Sequence, residues 1–322
     1  MKVLVTGVAG FIGMHCARRL LARGDEVFGI DNLTPYYSVD LKRARLAEIG
    51  SAKNFRFEQA DLADASATQR LFDAGKPEAV LHLAAQAGVR YSLENPGSYV
   101  QANLVGFANV LEACRAYPPR HLIYASSSSV YGNNGKLPWS EDDNVDRPIS
   151  LYAATKKSNE LMAHVYSHLF GLPATALRYF TVYGPWGRPD MSPVLFARAI
   201  MDGKPIQVFN HGRMQRDFTY VDDVVEGTLR ALDRPPAGQP PYRILNVGNH
   251  SPVPLLDYIA LLERALGRKA QLEMKPMQPG DVEATYADTR ALADAVGFAP
   301  SMPMEEGLAR FAEWFKRYYG YA

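Results

Sequence analysis

The chain has 322 residues, with 35 Lys plus Arg against 34 Asp plus Glu and 47% hydrophobic residues. That length suits about two domains and a large core. The charge balance excludes a dedicated binder of nucleic acid or acidic membrane, while leaving room for a local basic pocket for an anionic small molecule.

Two cysteines, Cys16 and Cys114, are too few for a disulfide framework or a zinc site. They read as buried reduced thiols of a cytoplasmic protein, and no metal centre is expected. No apolar run is long enough to predict a transmembrane helix. The apolar start of the chain is broken by Gly7, Gly10 and Gly13 and followed by Arg18 and Arg19, which argues against a signal peptide.

In chain order, residues 2–6 predict a strand and 11–23 a helix. Further strands are predicted at 25–31, 55–60, 79–83, 121–125 and 174–179, with helical patterns between them, as at 98–115 and 151–170. Strands alternating with helices predict an α/β fold with a doubly wound parallel (Rossmann) sheet. From Val182 onward Pro and Gly become denser, and short strands such as 206–209 and 244–247 lie between shorter helices. We therefore expect a dinucleotide-binding domain over 1–181 and a smaller C-terminal α/β substrate domain over 182–322. A segment near 215–250 is expected to return to the first sheet.

Gly7, Gly10 and Gly13, with Phe11 and Ile12, lie between the first strand and the first helix. Glycine lets the strand turn sharply and the backbone approach a pyrophosphate, and the helix N-terminus supplies N–H groups. The spacing is G-x-x-G-x-x-G rather than the commoner G-x-G-x-x-G. Asp31 ends the second strand, where an acid accepts the adenosine ribose hydroxyls and repels a 2′-phosphate; this predicts NAD. Asn32 follows it. Asp61 and Leu62 follow the third strand near the adenine edge. Leu83, Ala84, Ala85 and Gln86 follow the fourth, where small side chains let a cofactor lie against the backbone.

Tyr152 and Lys156 stand four residues apart and share a helix face. A phenol titrates near 10, and a nearby cation favours phenolate, which can take a hydroxyl proton as hydride leaves the same carbon. Taken alone, such a pair also suits an exposed helix face. It gains meaning from the strand at 121–125, which runs into Ser126, Ser127, Ser128 and Ser129 at the end of a parallel strand where ligands bind.

These motifs, with His82, the run Arg178-Tyr179-Phe180 and residues 216–223, resemble the extended short-chain dehydrogenase/reductases that act on nucleotide sugars, over essentially the whole chain. The resemblance implies that Tyr152 is the base, Lys156 its partner and Ser127 a hydroxyl relay. It implies that Asn103, Ser126 and Tyr179 join Tyr152, Lys156 and the residues above in holding NAD. It also implies a homodimer paired through the helices at 98–115 and 151–170.

The family's 4,6-dehydratases carry an Asp-Glu pair just after the hydroxyl residue, and its uronate decarboxylases a nearby Glu. Here Ser128 and Ser129 stand there, which predicts 4-epimerisation through a transient 4-keto sugar, with decarboxylation or another epimerase or dehydratase reaction as the alternative. Residues 31–43 and 179–191 resemble the uridine diphosphate glucuronate 4-epimerases of that family. The family's galactose epimerases have Asn where Thr181 stands and lack Arg188.

A guanidinium at Arg188 can clamp a sugar carboxylate bidentately; otherwise it pairs with Asp190 in its own loop. Oxidation of glucuronate at C4 makes a β-keto acid that sheds CO₂ readily, so Arg188 and Thr181 are expected to restrain the carboxylate. Ser127 and Ser128 are expected at the sugar and Arg216 at the diphosphate, unless Arg216 pairs with Asp217. Pro193, Val194 and Phe196 are expected beside the uracil, and Asp281 at the uridine ribose. Gln278 stands where the galactose epimerases carry Arg. Arg90 is open between a substrate and a structural role. A surface polysaccharide is the expected destination of the galacturonate product.

Overall fold

Apart from the edge strand at 55–59, the apolar runs of the first half are buried along almost their whole length, as parallel strands covered on both faces must be. The strands are β1 (Lys2–Thr6), β2 (Glu26–Asp31), β3 (Phe55–Gln59), β4 (Ala79–His82), β5 (His121–Ser127) and β6 (Ala174–Tyr179), followed by β7 (Thr181–Tyr183), β8 (Pro205–Val208), β9 (Gln215–Tyr220), β10 (Tyr242–Val247), β11 (Pro252–Pro254) and β12 (Gln271–Met274). The structure is a computed structural model that describes residues 1–277 and 282–321.

A seven-stranded parallel sheet has the order β10-β6-β5-β4-β1-β2-β3. Successive residues of β1 face opposite sides. Val3 and Val5 join one apolar cluster with Met14, Cys16 and Phe311, and Leu4 joins the other with Phe107, Cys114 and Tyr124. The two cysteines are therefore on opposite sides of the sheet, both free, and burial pushes both thiols up.

β10 comes back from the second half to pair with β6, residue Tyr242 opposite Ala174. The remaining strands form a three-stranded sheet, β11-β9-β7, and a two-stranded one, β12-β8.

Helix boundaries follow ordinary capping. α1 (Phe11–Ala22) starts from the glycine turn. α2 (Val39–Ile49) is capped by Ser38, whose Oγ accepts from the Leu41 N–H at 3.2 Å. The Leu151–Phe170 helix is capped by Ser150 and ends at Gly171 in the left-handed region.

One expected helix is interrupted. Instead of an unbroken 98–115, a short helix at Pro96–Tyr99 leads into a π-helical turn, Val100–Val105, before the α-helix Gly106–Ala116. Asn103 is the buried residue of that turn and hydrogen-bonds Gln86 and Thr155. Among the described residues, no helix is long and apolar enough to cross a membrane, and no group of His, Cys, Asp or Glu could hold a metal ion.

Candidate active site

Strand order reverses between β4 and β1, and a cavity of about 520 Å³ opens there, at the carboxyl ends of the strands. Its floor is the glycine turn. Gly7 has φ +71, and a Cβ added to it would lie 2.7 Å from the Ala84 nitrogen. A Cβ on Gly13 would lie 2.1 Å from the Gly7 carbonyl oxygen. The turn, the loop after β4 and the start of α1 are thus in direct backbone contact, leaving the cradle that a pyrophosphate requires.

Asp31 is buried beside it and accepts from the Ala9 N–H at 3.1 Å and the Leu33 N–H at 2.8 Å. Burial raises its carboxyl above the usual range, opposed by those bonds and by Lys42 and Arg45. Lys42 also lines the cavity and donates to the Thr34 carbonyl at 2.8 Å. Asn32, Asp61, Leu62, Leu83, Ala84, Ala85 and Gln86 line the same end, with Gly10, Phe11 and Ile12. These residues fit a dinucleotide.

The loop after β4 is pinned from below. The Thr6 hydroxyl bonds His82 Nδ1 at 2.9 Å and accepts from the Ala84 N–H at 3.2 Å. Asn103 accepts from the Gln86 N–H at 2.8 Å and donates to the Gln86 carbonyl at 2.9 Å and to Thr155 Oγ1 at 3.0 Å. Asn103 lies outside the cavity lining. It was expected against the cofactor, but its amide is spent on the loop that is.

The Leu151–Phe170 helix brings Tyr152 and Lys156 to the cavity beside Ser127, Ser128 and Ser129. Burial raises the Tyr152 phenol above its usual range, opposed by a hydrogen bond with Ser127 and by the Arg188 guanidinium. Lys156 is buried and donates to the Ala125 carbonyl at 2.8 Å; burial pulls its ammonium down to about 8. Arg188 favours the phenolate and Asp190 opposes it, while Lys156, one helical turn from Tyr152, ties the helix to the end of β5.

Ser126 lines the cavity but gives its hydroxyl to Glu160 Oε1 at 2.7 Å. Glu160 in turn accepts two bonds from Arg178, both 2.8 Å, in a fully buried fork. Tyr179 also lines the cavity, with its hydroxyl turned away to Thr228 at 2.9 Å.

At the far end stand Thr181, Arg188 and Met191. Arg188 forks onto Asp190, Nε to Oδ1 at 3.1 Å and Nη2 to Oδ2 at 2.5 Å. Tyr36 adds its hydroxyl to Asp190 at 3.0 Å. This is the within-loop pair that the sequence allowed. It holds the Asp190 carboxyl below its usual range despite burial. It also leaves Nη1 of Arg188 without a hydrogen bond among the described residues, on a side chain that lines the cavity.

Other expected substrate residues lie elsewhere. Val194 is buried in the apolar core, and Phe196 packs against it; neither they nor Pro193 line the cavity. All three belong to the Ser192–Met201 helix, whose apolar face is drawn into the core, so that Met191 just before it meets the cavity instead. Arg216 is outside the lining and donates to the Gln215 and Glu283 carbonyls at 2.9 and 3.1 Å. Asp281 and Gln278 lie outside the described residues. Arg90 is exposed, with its guanidinium 5.5 Å from the centre of the Phe209 ring. Tyr36 and Lys42 were not singled out from sequence, although both lie in the 31–43 stretch that was.

Residues 3–248 match the NAD dependent epimerase/dehydratase family. The chain belongs to that family. The epimerase/dehydratase family is NAD-dependent, and the turn and Asp31 fit that cofactor. A probable UDP-glucuronate 4-epimerase of Rhizobium meliloti is 49% identical over 334 residues, covering 99% of this chain and 98% of that protein. Among solved structures, UDP-glucuronic acid 4-epimerase from Bacillus cereus in complex with UDP-glucuronic acid and NAD aligns with a TM-score of 0.92 and 34% identity, covering 99% of this chain and all of that one. UDP-glucose 4-epimerase from Thermotoga maritima, with UDP-glucose, gives a TM-score of 0.89 at 31% identity, covering 99% and 100%.

Proposed function

We infer that the chain interconverts UDP-glucuronate and UDP-galacturonate by epimerisation at C4. The observation that carries this reading is the cavity's charge. Among the described residues its only carboxylates are Asp31 and Asp61, both at the dinucleotide end. The end that holds Tyr152 is lined by hydroxyls, by Lys156 and by Arg188. An elimination needs an acid–base pair beside the sugar in addition to Tyr152, and no carboxylate lines that end among the described residues; a sugar carboxylate needs a cation, and Arg188 is one. The relatives named above are UDP-glucuronate and UDP-glucose 4-epimerases, in keeping with this reading.

Bound NAD supplies the acceptor and later the donor of hydride at C4. The chain's own residues do the rest. Tyr152 takes the O4 proton, with Ser127 hydrogen-bonded to its phenol to orient the sugar hydroxyl. The resulting 4-keto glucuronate is a β-keto acid. The open Nη1 of Arg188, with the Thr181 hydroxyl, binds its carboxylate and keeps the charge localised, which opposes loss of CO₂. The sugar then turns its other face, and Tyr152 returns the proton.

We further propose that residues 1–181 with the returning β10 bind NAD, and that 182–322 hold the nucleotide. The working unit proposed is a homodimer. Leu161, Val165 and Leu169 are exposed at four-residue spacing along one face of the Leu151–Phe170 helix, a stripe that a second copy would cover. A cytoplasmic location is proposed with it, in keeping with two free cysteines.

The test is purified protein with UDP-glucuronate and no added NAD, followed by proton NMR. The galacturonate epimer appearing to a fixed ratio is the expected result. A pentose product with CO₂, or no change with NAD supplied, overturns the reading.

A further inference from the structure

Arg45 of α2 is completely buried, and no carboxylate pairs with it among the described residues. Asp31 feels its charge only at longer range, and burying a guanidinium with no ion-paired carboxylate is costly unless every donor is satisfied. All five N–H groups are. Nε and Nη2 both donate to the Trp186 carbonyl, at 3.1 and 2.8 Å. Nη2 also reaches the Gly187 carbonyl at 3.2 Å. Nη1 donates to the Ala9 carbonyl at 3.2 Å and to the Tyr37 hydroxyl at 2.6 Å.

Those acceptors join two distant pieces of chain. Ala9 is in the glycine turn, and Trp186 and Gly187 immediately precede Arg188. Trp186 has φ +65, a conformation that a bulky residue keeps only when its surroundings impose it. Its ring is held against Trp314 and Tyr318, centroids 5.5 and 5.1 Å away, and His15 of α1 bonds the Pro185 carbonyl at 3.0 Å. The same stretch of chain also fixes Arg188 from its side-chain end: Tyr36, next to Tyr37, donates to Asp190, the acid that orients Arg188.

We propose that Arg45 is a positioning residue for Arg188: it locks the 185–187 backbone to the dinucleotide turn, so that the guanidinium of Arg188 meets the sugar carboxylate in one fixed orientation. This rests on the reading of Arg188 given above. Arg45 touches neither substrate nor cofactor in this role. Lysine cannot replace it, because one ammonium cannot serve acceptors arranged around a planar five-donor fork.

The test compares wild type with Arg45→Lys and with Tyr37→Phe, which removes one acceptor, spares the charge and keeps the aromatic ring of a residue that also lines the cavity. Each protein is normalised to its bound NAD. Calorimetry gives Kd for UDP-glucuronate and for UDP, which has no sugar carboxylate, and NMR gives the fraction of decarboxylated product. In Arg45→Lys, Kd for UDP-glucuronate is expected to rise about tenfold, with Kd for UDP unchanged and more decarboxylated product. Tyr37→Phe should shift both in the same direction, by about threefold in Kd. If Arg45→Lys does not fold, Tyr37→Phe decides alone. Unchanged Kd and product ratio, or equal loss of affinity for UDP and UDP-glucuronate, overturns the positioning role. Wild-type protein that neither binds nor epimerises UDP-glucuronate overturns the proposed function first, and this role with it.

Discussion

At the dinucleotide end of the cavity, three glycines within seven residues shape the backbone, and the turn closes on itself, the Gly10 N–H donating to the Gly7 carbonyl at 2.9 Å. At the Arg188 end, the loop is held by Arg45, Tyr36 and His15, which lie 141, 154 and 170 positions from their partners. The first end is local and made of backbone; the second is assembled from side chains spread over the chain. A backbone site fails when one atom is added where there is no room. A distributed site fails by degrees, because each contact carries part of the load.

The variants that separate the two ends follow from this. Gly13→Ala should have the largest effect, because its Cβ would lie 2.1 Å from the Gly7 oxygen and neither atom belongs to a flexible side chain. Loss of co-purifying NAD, measured by release and chromatography, and loss of turnover are expected together. Survival of bound NAD would break the claim that this end tolerates no added atom.

Tyr152→Phe comes next. It should lower kcat by about 10²–10⁴-fold with bound NAD retained, since it removes the proton acceptor and leaves both ends standing. Arg188→Ala should then raise KM for UDP-glucuronate about tenfold to a hundredfold and increase decarboxylated product, with little change in bound NAD. An unchanged product ratio would remove Arg188 from the carboxylate.

The smallest effect lies between the ends, at Lys156. Burial lowers its ammonium from 10.5 to about 8. Between those pH values the unfolded chain keeps a proton that the folded chain has released, so this group makes stability rise with pH across the interval. Denaturant unfolding of Lys156→Met against wild type should show a flatter dependence there.

Both ends differ in how far they could be read before any fold was known. The glycine turn, Asp31, the serine run and the Tyr152–Lys156 pair are short stretches whose spacing carries their geometry, because a turn, a strand end or one helix face keeps neighbours in sequence together in space. The parallel sheet was legible for the same reason. That Asn103 holds the Gln86 loop was not legible, because it sits in a π-helical turn that residue spacing does not reveal. For Val194 an apolar residue near Arg188 reads equally well as pocket wall or as core, and helix packing buries it in the apolar cluster.

The amino-acid sequence by itself determined the layered α/β architecture, the dinucleotide turn and the placing of Tyr152 and Lys156 on one helix face beside the serine run, because each depends on interactions within about one element of chain. Only the tertiary structure decided which cation faces Tyr152, which acid holds Arg188, and why a buried Arg45 without a carboxylate partner is tolerated. The last depends on carbonyls 141 and 142 positions away, and the first two on how the loop that carries Arg188 folds over the cavity, where sequence order does not fix which groups meet.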